Sequence, residues 1–219
     1  MKKKKNMKEL DNEKVLKEIE KSPLLSAGFK WFVRYNTGTS NPYHNLNHTL
    51  RLMQLILEYL ESDEEKKEKV NKEKILLLAL FHDFGHSAGK FGDKVNVEIA
   101  IGNLRNFLYT QGGVVSLYDT EALEDTTYPY SSAETKTIEG KVLRNFDCLQ
   151  WIFSDFITQC VYGLKGEGAK GSARDYMEFV TTTLIPNLSI PFAISLADKY
   201  KEEFCKTCII LDKYEVQSI

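Results

Sequence analysis

The sequence predicts an all-α fold, and three observations carry that expectation. Apolar residues recur at helical spacing through most of the 219 residues, turn-forming glycine, proline and asparagine fall between those stretches, and no run alternates apolar with polar residues long enough to specify a sheet. The chain length suits one domain, with residues 22–219 as that domain and residues 1–21 as a basic, helical N-terminal extension. A hydrophobic fraction of 42% supplies enough apolar surface for a sizeable core.

In chain order, Leu10, Val15, Leu16 and Ile19 mark a short amphipathic helix that stops near Ser22-Pro23. A second helix, rich in aromatics, runs from about Leu24 to Tyr35. The following NTGTSNPYHN is turn chemistry, broken by Gly38, Asn41 and Pro42. Leu50, Met53, Ile56, Leu57 and Leu60 then give a long helix a wide apolar face. Residues 61–74 form a solvated, charged connection. From Ile75 to His82 the chain is almost wholly apolar, so this helix is expected to be buried on all sides. Gly85, Gly89 and Gly92 break it, and another helix is expected over 95–109. The polar stretch 110–132 reads as loop, with VVSLY (114–118) as a candidate short strand. Helices resume near 133–164, GLKGEGAKG (163–171) reads as a flexible surface loop, and helices at about 173–185 and 190–213 complete the chain.

Charge and cysteine content narrow the function. A net charge of -2 provides no global basic field, so no nucleic acid polymer is expected as partner, and an anionic substrate must be held by local charge or by metal. Cys148, Cys160, Cys205 and Cys208 are too sparse for a disulfide framework, and the CKTC pair lacks the companions of a zinc site. The N-terminal lysine run is followed by no apolar core of signal-peptide length, and Ile75 to Phe81 is too short to span a bilayer. The expectation is a cytoplasmic protein with no membrane partner, whose lysine run is a solvated tail.

The four histidines fall in two pairs, His44 with His48 and His82 with His86. Residues four apart share a helix face, so each pair presents two imidazoles in one direction. The second pair encloses a carboxylate, as HDFGH. Imidazole nitrogen and carboxylate oxygen suit zinc, manganese, iron and related divalent ions. Asp83 lies at the end of the most apolar helix, where an unpartnered charge costs several kcal/mol. A bound cation removes that cost; the alternative is an ordinary helix end meeting water. A zinc protease helix is disfavoured by the shorter carboxylate, by Gly85 between the histidines, and by the lack of a third ligand downstream.

These residues resemble the HD-domain phosphohydrolase superfamily, whose members carry a histidine on one helix, an adjacent His-Asp pair on another, and a distant aspartate. His48, His82 and Asp83 match the first two elements. The distant aspartate is best placed at Asp147 in KVLRNFDCLQ, with Asp155 and Asp119 as alternatives. Within the superfamily the motifs are most similar to the cyclic-nucleotide phosphodiesterases: PYHNLNH matches Tyr-His-Asn-x-x-His, HDFGH matches His-Asp-x-x-His, and NVEIA matches Asn-x-Glu-hydrophobic-Ala. The resemblance covers about residues 42–150. Phe91 and Ser87 stand where those enzymes carry asparagine and proline.

The resemblance implies a compact multi-helix bundle with a metal site between helices. It implies Mn, Mg, Zn or Fe held by His48, His82, Asp83 and Asp147, with a second, weaker ion sharing Asp83. His44 is then the general acid, with His86, Glu98 and Asn96 beside the ligands, and Tyr43, Asn45 and Lys90 as substrate contacts. Arg51, Lys94 and Arg144 are further basic candidates, read more simply as solvated surface. The implied activity is hydrolysis of a small phosphoester, most specifically a nucleotide phosphodiester. A 5'-nucleotidase or other phosphomonoesterase and a non-hydrolytic nucleotide-sequestering protein are the alternatives.

Overall fold

In a computed structural model, the described residues are 11–62, 69–130, 134–153 and 155–215. The lysine run and the middle of the charged 61–74 connection lie outside them. Among the described residues there are ten α-helices and no strand: α1 (Asn12–Glu20), α2 (Pro23–Tyr35), α3 (Leu46–Leu60), α4 (Lys72–Phe81), α5 (Asp93–Thr110), α6 (Leu117–Glu124), α7 (Ile138–Leu149), the single turn α8 (Leu164–Gly166), α9 (Ala173–Phe179) and α10 (Pro191–Glu215). None is long and apolar enough to cross a membrane.

Local sequence sets most helix starts. Ser22 Oγ accepts the Leu25 N–H at 3.1 Å with Pro23 at the first helical position, so the predicted stop of α1 is also the start of α2. Asn71 and Thr137 side chains cap α4 and α7 in the same way. As expected, α4 is enclosed on all sides: every residue from Ile75 to Phe81 is buried, against α2, α3, α5, α6 and α7. Helix α1 packs on α2 and α3 through Val15 and Ile19.

Leu80 lies at the centre of this packing with no exposed surface. Truncation there removes apolar contacts and leaves a cavity, so Leu80→Ala is expected to cost about 2–5 kcal/mol. Chemical denaturation of the two proteins, compared at equal denaturant slope, measures that loss.

Two segments depart from the sequence expectation, 114–118 and 163–171. VVSLY is not a strand: Val114 and Val115 are coil, and Leu117 opens α6. A capping box decides it, with Ser116 Oγ accepting the Asp119 N–H and Asp119 Oδ2 accepting the Ser116 N–H, satisfying donors that β propensity alone leaves open. The helices expected over 133–164 are α7, a 3₁₀ turn at Gln150–Ile152 and a π-helical turn at Gln159–Gly163. The segment 163–171 is not a free loop. It contains α8 and places Glu167 at only 7% exposure, against the residues that enter α3.

The site is framed by α3, α4 and α7, which pack on one another. Helix α7 is held in place by Arg144 Nε, which donates to the Asp125 carbonyl at 2.7 Å, and by Asn145 Oδ1, which accepts the N–H groups of Ser189 and Ile190. Arg144 is thus buried structure, not a solvated surface cation.

Candidate metal centre

Each donor is delivered by a helix end or a first turn. His48 lies in the opening turn of α3, where Asn45 Oδ1 accepts the N–H groups of Asn47 and His48. His82 ends α4, and its Nδ1–H donates to the Ala79 carbonyl at 2.7 Å. That bond orients the ring so that His82 Nε2 faces the site. His48 Nε2 is 3.1 Å from His82 Nε2, and Asp83 Oδ2 is 2.9 Å from both nitrogens. From α7, Asp147 Oδ1 comes within 3.3 Å of His48 Nε2 and 4.0 Å of His82 Nε2, and accepts from Gln150 Nε2.

These donors fit one divalent ion. Ligand bonds of about 2.1 Å at right angles put neighbouring donors about 3.0 Å apart, which is the spacing of the His48, His82 and Asp83 atoms. His48, His82 and Asp83 form a group able to hold a metal. The electrostatics point the same way. Burial opposes a charged His48 imidazole, yet the hydrogen bonds and charges of Asp147 and Asp83 outweigh it and raise His48 to about 10. Burial likewise pushes Asp83 up, but His82, His44 and His48 hold its carboxyl well below the usual range. The pocket draws positive charge to the point where the donors converge.

A second cluster lies beside the first. His44 Nδ1 is 2.5 Å from Glu167 Oε2, while Glu167 Oε1 accepts the backbone N–H groups of Tyr43 and His44 at 2.8 and 2.9 Å. Burial raises the Glu167 carboxyl, but the bond to His44 and these amides bring it below its ordinary value. The His86 ring stacks on that of His44 with centroids 3.5 Å apart. Burial, then the neighbouring His44, lower His86 to about 4, so it is neutral near pH 7. Asn96 Nδ2 lies 3.0 Å from His86 Nε2. His44, His86 and Glu167 also lie close enough to hold a metal. Stacked rings, however, aim their lone pairs along near-parallel planes, and Glu167 Oε1 is already taken by two amides. The cluster is better suited to orient His44.

Of the expected site residues, the structure brings together His44, His48, His82, Asp83, Asp147, His86 and Asn96, with Tyr43 buried against His44 and His48. Others fall elsewhere. Glu98 is exposed, two residues and half a turn from buried Asn96, so α5 points it away from the centre. Asn45 spends its side-chain oxygen on the α3 N-terminus and its amide on Asn41 and Pro42 carbonyls. Lys90 is exposed, and the lysine that lines the cavity is Lys170. Asp155 pairs with buried Arg51, and Asp119 with Lys74, which leaves Asp147 as the third-helix carboxylate.

Sequence reasoning missed Glu167 and Asp93. Glu167 lies in a glycine-rich segment, and those glycines are the signal: a Cβ at Gly163 would come 2.6 Å from the Pro42 carbonyl oxygen, and one at Gly89 would come 1.9 Å from that of Glu167. The chain needs bare backbone there for 85–92, 163–171 and 42–44 to meet.

Three of the four metal donors, His82, Asp83 and Asp147, line a cavity of about 510 Å³. Its walls are aromatic, with Tyr128, Tyr130, Trp151, Tyr176 and Phe179, and away from the donors its charges are Asp93, Asp175 and Lys170. Burial raises Asp93 to about 6. Residues 45–151 match one family model, that of the HD domain. No curated protein and no solved structure matches the chain.

Proposed function

Residues 45–151 belong to the HD domain family of metal-dependent phosphohydrolases, and from that premise we propose that this protein hydrolyses a nucleotide-like phosphodiester, with His44 as general acid. The charge of the large cavity carries the diester reading. Beyond the metal donors it offers one lysine against two carboxylates. A phosphodiester brings a single negative charge there, whereas a phosphomonoester at neutral pH brings nearly two and meets Asp93 and Asp175 with little to offset them. The aromatic walls suit a planar base, for which stacking supplies about 1–3 kcal/mol.

His48, His82, Asp83 and Asp147 would hold the ion, and their imidazole nitrogens and carboxylate oxygens suit manganese, magnesium, iron or zinc. When bound, a divalent cation lowers the pKa of water from about 15.7 toward 7 and neutralises phosphoryl oxygens. The chain's own residues supply the rest. Glu167 engages His44 Nδ1, so Nε2 is the corner available to protonate the leaving oxygen. His86, kept neutral, packs against that ring.

The test is turnover of bis(p-nitrophenyl) phosphate and p-nitrophenyl phosphate with Mn, Mg, Fe and Zn. The diester is expected to have a kcat/KM at least about 10-fold higher. The opposite order assigns the protein to the phosphomonoesterases. Saturable nucleotide binding without product under all four metals assigns it to the sequestering proteins.

A further inference from the structure

A second cavity, of about 310 Å³, adjoins the first. Three residues line both: His44, Asp93 and Leu164. His82, Asp83 and Asp147 face only the larger cavity, whereas His86, Asn96, Phe91, Gly168 and Ala169 face only the smaller. The imidazole placed to protonate a leaving group therefore stands on the divide between two spaces, with the metal donors on one side alone.

That arrangement constrains the substrate. In-line displacement puts the attacking water and the departing oxygen on opposite sides of phosphorus. An ion held by the metal donors would activate water on their side, and the departing oxygen must lie within reach of His44. Whatever that oxygen carries extends past His44, into the smaller cavity. The group that remains on phosphorus keeps the aromatic cavity. We propose that the natural substrate is a phosphodiester bearing two separate organic groups, of dinucleotide type, whose leaving alcohol occupies the cavity walled by Phe91, Asn96, Gly168 and Ala169. A cyclic mononucleotide, whose two ester oxygens belong to one sugar, leaves that space unfilled.

The proposal rests on the phosphodiesterase reading and adds to it the size of the leaving group. Atoms balance as in any hydrolysis: water oxygen bonds to phosphorus, the ester P–O bond breaks, the alkoxide takes a proton from His44, and a water proton passes to solvent. The smaller cavity also explains the glycine-rich segment. Gly89 lets the Glu167 carbonyl approach, so the loop that supplies Phe91 and the loop that supplies Gly168 and Ala169 meet edge to edge as its walls.

The experiment compares thymidylyl-(3',5')-thymidine with thymidine 5'-(methyl phosphate), which share a retained thymidine 5'-phosphoryl group and differ in the leaving alcohol. The wild-type kcat/KM ratio is expected to favour the dinucleotide by about 10-fold or more. Phe91→Ala, at a side chain 55% exposed, and Ala169→Trp, which fills the cavity, are each expected to bring that ratio toward unity. A second readout needs no turnover: with metal chelated, calorimetry should show the dinucleotide binding more tightly than the methyl ester, and Ala169→Trp should erase the difference. Equal rates and affinities for the two esters in the wild type, or an unchanged ratio in both variants, overturns the proposal while leaving the phosphodiesterase reading intact. Failure to cleave either ester counts against that reading and removes the proposal with it.

Discussion

Asp83→Ala is expected to lower kcat/KM by roughly 10³-fold or more, about 4 kcal/mol of transition-state stabilisation, and to abolish stoichiometric metal binding. The reason is positional. Asp83 Oδ2 is the one atom 2.9 Å from both imidazole nitrogens. Removing it leaves two neutral nitrogens and a single carboxylate, Asp147, a set short of both charge and chelation. Metal content by elemental analysis reads the loss directly. Thermal unfolding supplies a second signal: an ion at about 100 times its dissociation constant adds about 2.7 kcal/mol to wild-type stability, and that increment should vanish in the variant. Asp83→Asn separates charge from shape, because it keeps the volume and should lose nearly as much. Retention of both metal and activity by Asp83→Ala would remove the basis for every role assigned to this centre.

Much of this centre was legible in the sequence because its chemistry is local. The i, i+4 histidine pairs and the adjacent His82-Asp83 need only a helix to present them, and the apolar run from Ile75 to Phe81 announces a buried helix that ends at those residues. What stayed hidden depends on approach between distant segments. Glu167 reaches His44 across 123 residues, and its segment looks like a mobile loop because glycines that permit close backbone contact and glycines that permit flexibility are the same residues. Glu98 matched a motif by spacing, yet spacing alone does not fix which face of α5 turns inward; the buried side is set by Asn96, Val97 and Ala100. VVSLY has strand-like residues, but the Ser116–Asp119 capping box satisfies backbone donors within four residues, where a strand would have needed a partner that the chain does not supply among the described residues.

Glu167→Gln is expected to lower kcat by about 10²-fold on esters with alkyl leaving groups, with metal content unchanged and KM little altered. The amide is nearly isosteric, and its orientation is forced. The atom in the place of Oε1 must accept two backbone N–H groups, from Tyr43 and His44, so the amide oxygen goes there and the NH₂ group faces His44 Nδ1. An N–H donor at that point takes the Nδ1 lone pair, so the ring loses the acceptor that holds its Nδ1 proton while Nε2 gives its own to the leaving oxygen. A structural role alone would depress all substrates alike. Loss of general acid does not: p-nitrophenolate departs without a proton, so the deficit should shrink to a few-fold on bis(p-nitrophenyl) phosphate and reach its full size on a methyl or nucleoside ester. His44→Ala should show the same dependence on the leaving group. Because Glu167 acts through His44, the double variant should be no slower than His44→Ala alone, the non-additivity expected of two groups working as one unit. Additive losses, or an equal deficit across leaving groups, would reduce Glu167 to a support for the backbone at Tyr43 and return the proton to another donor.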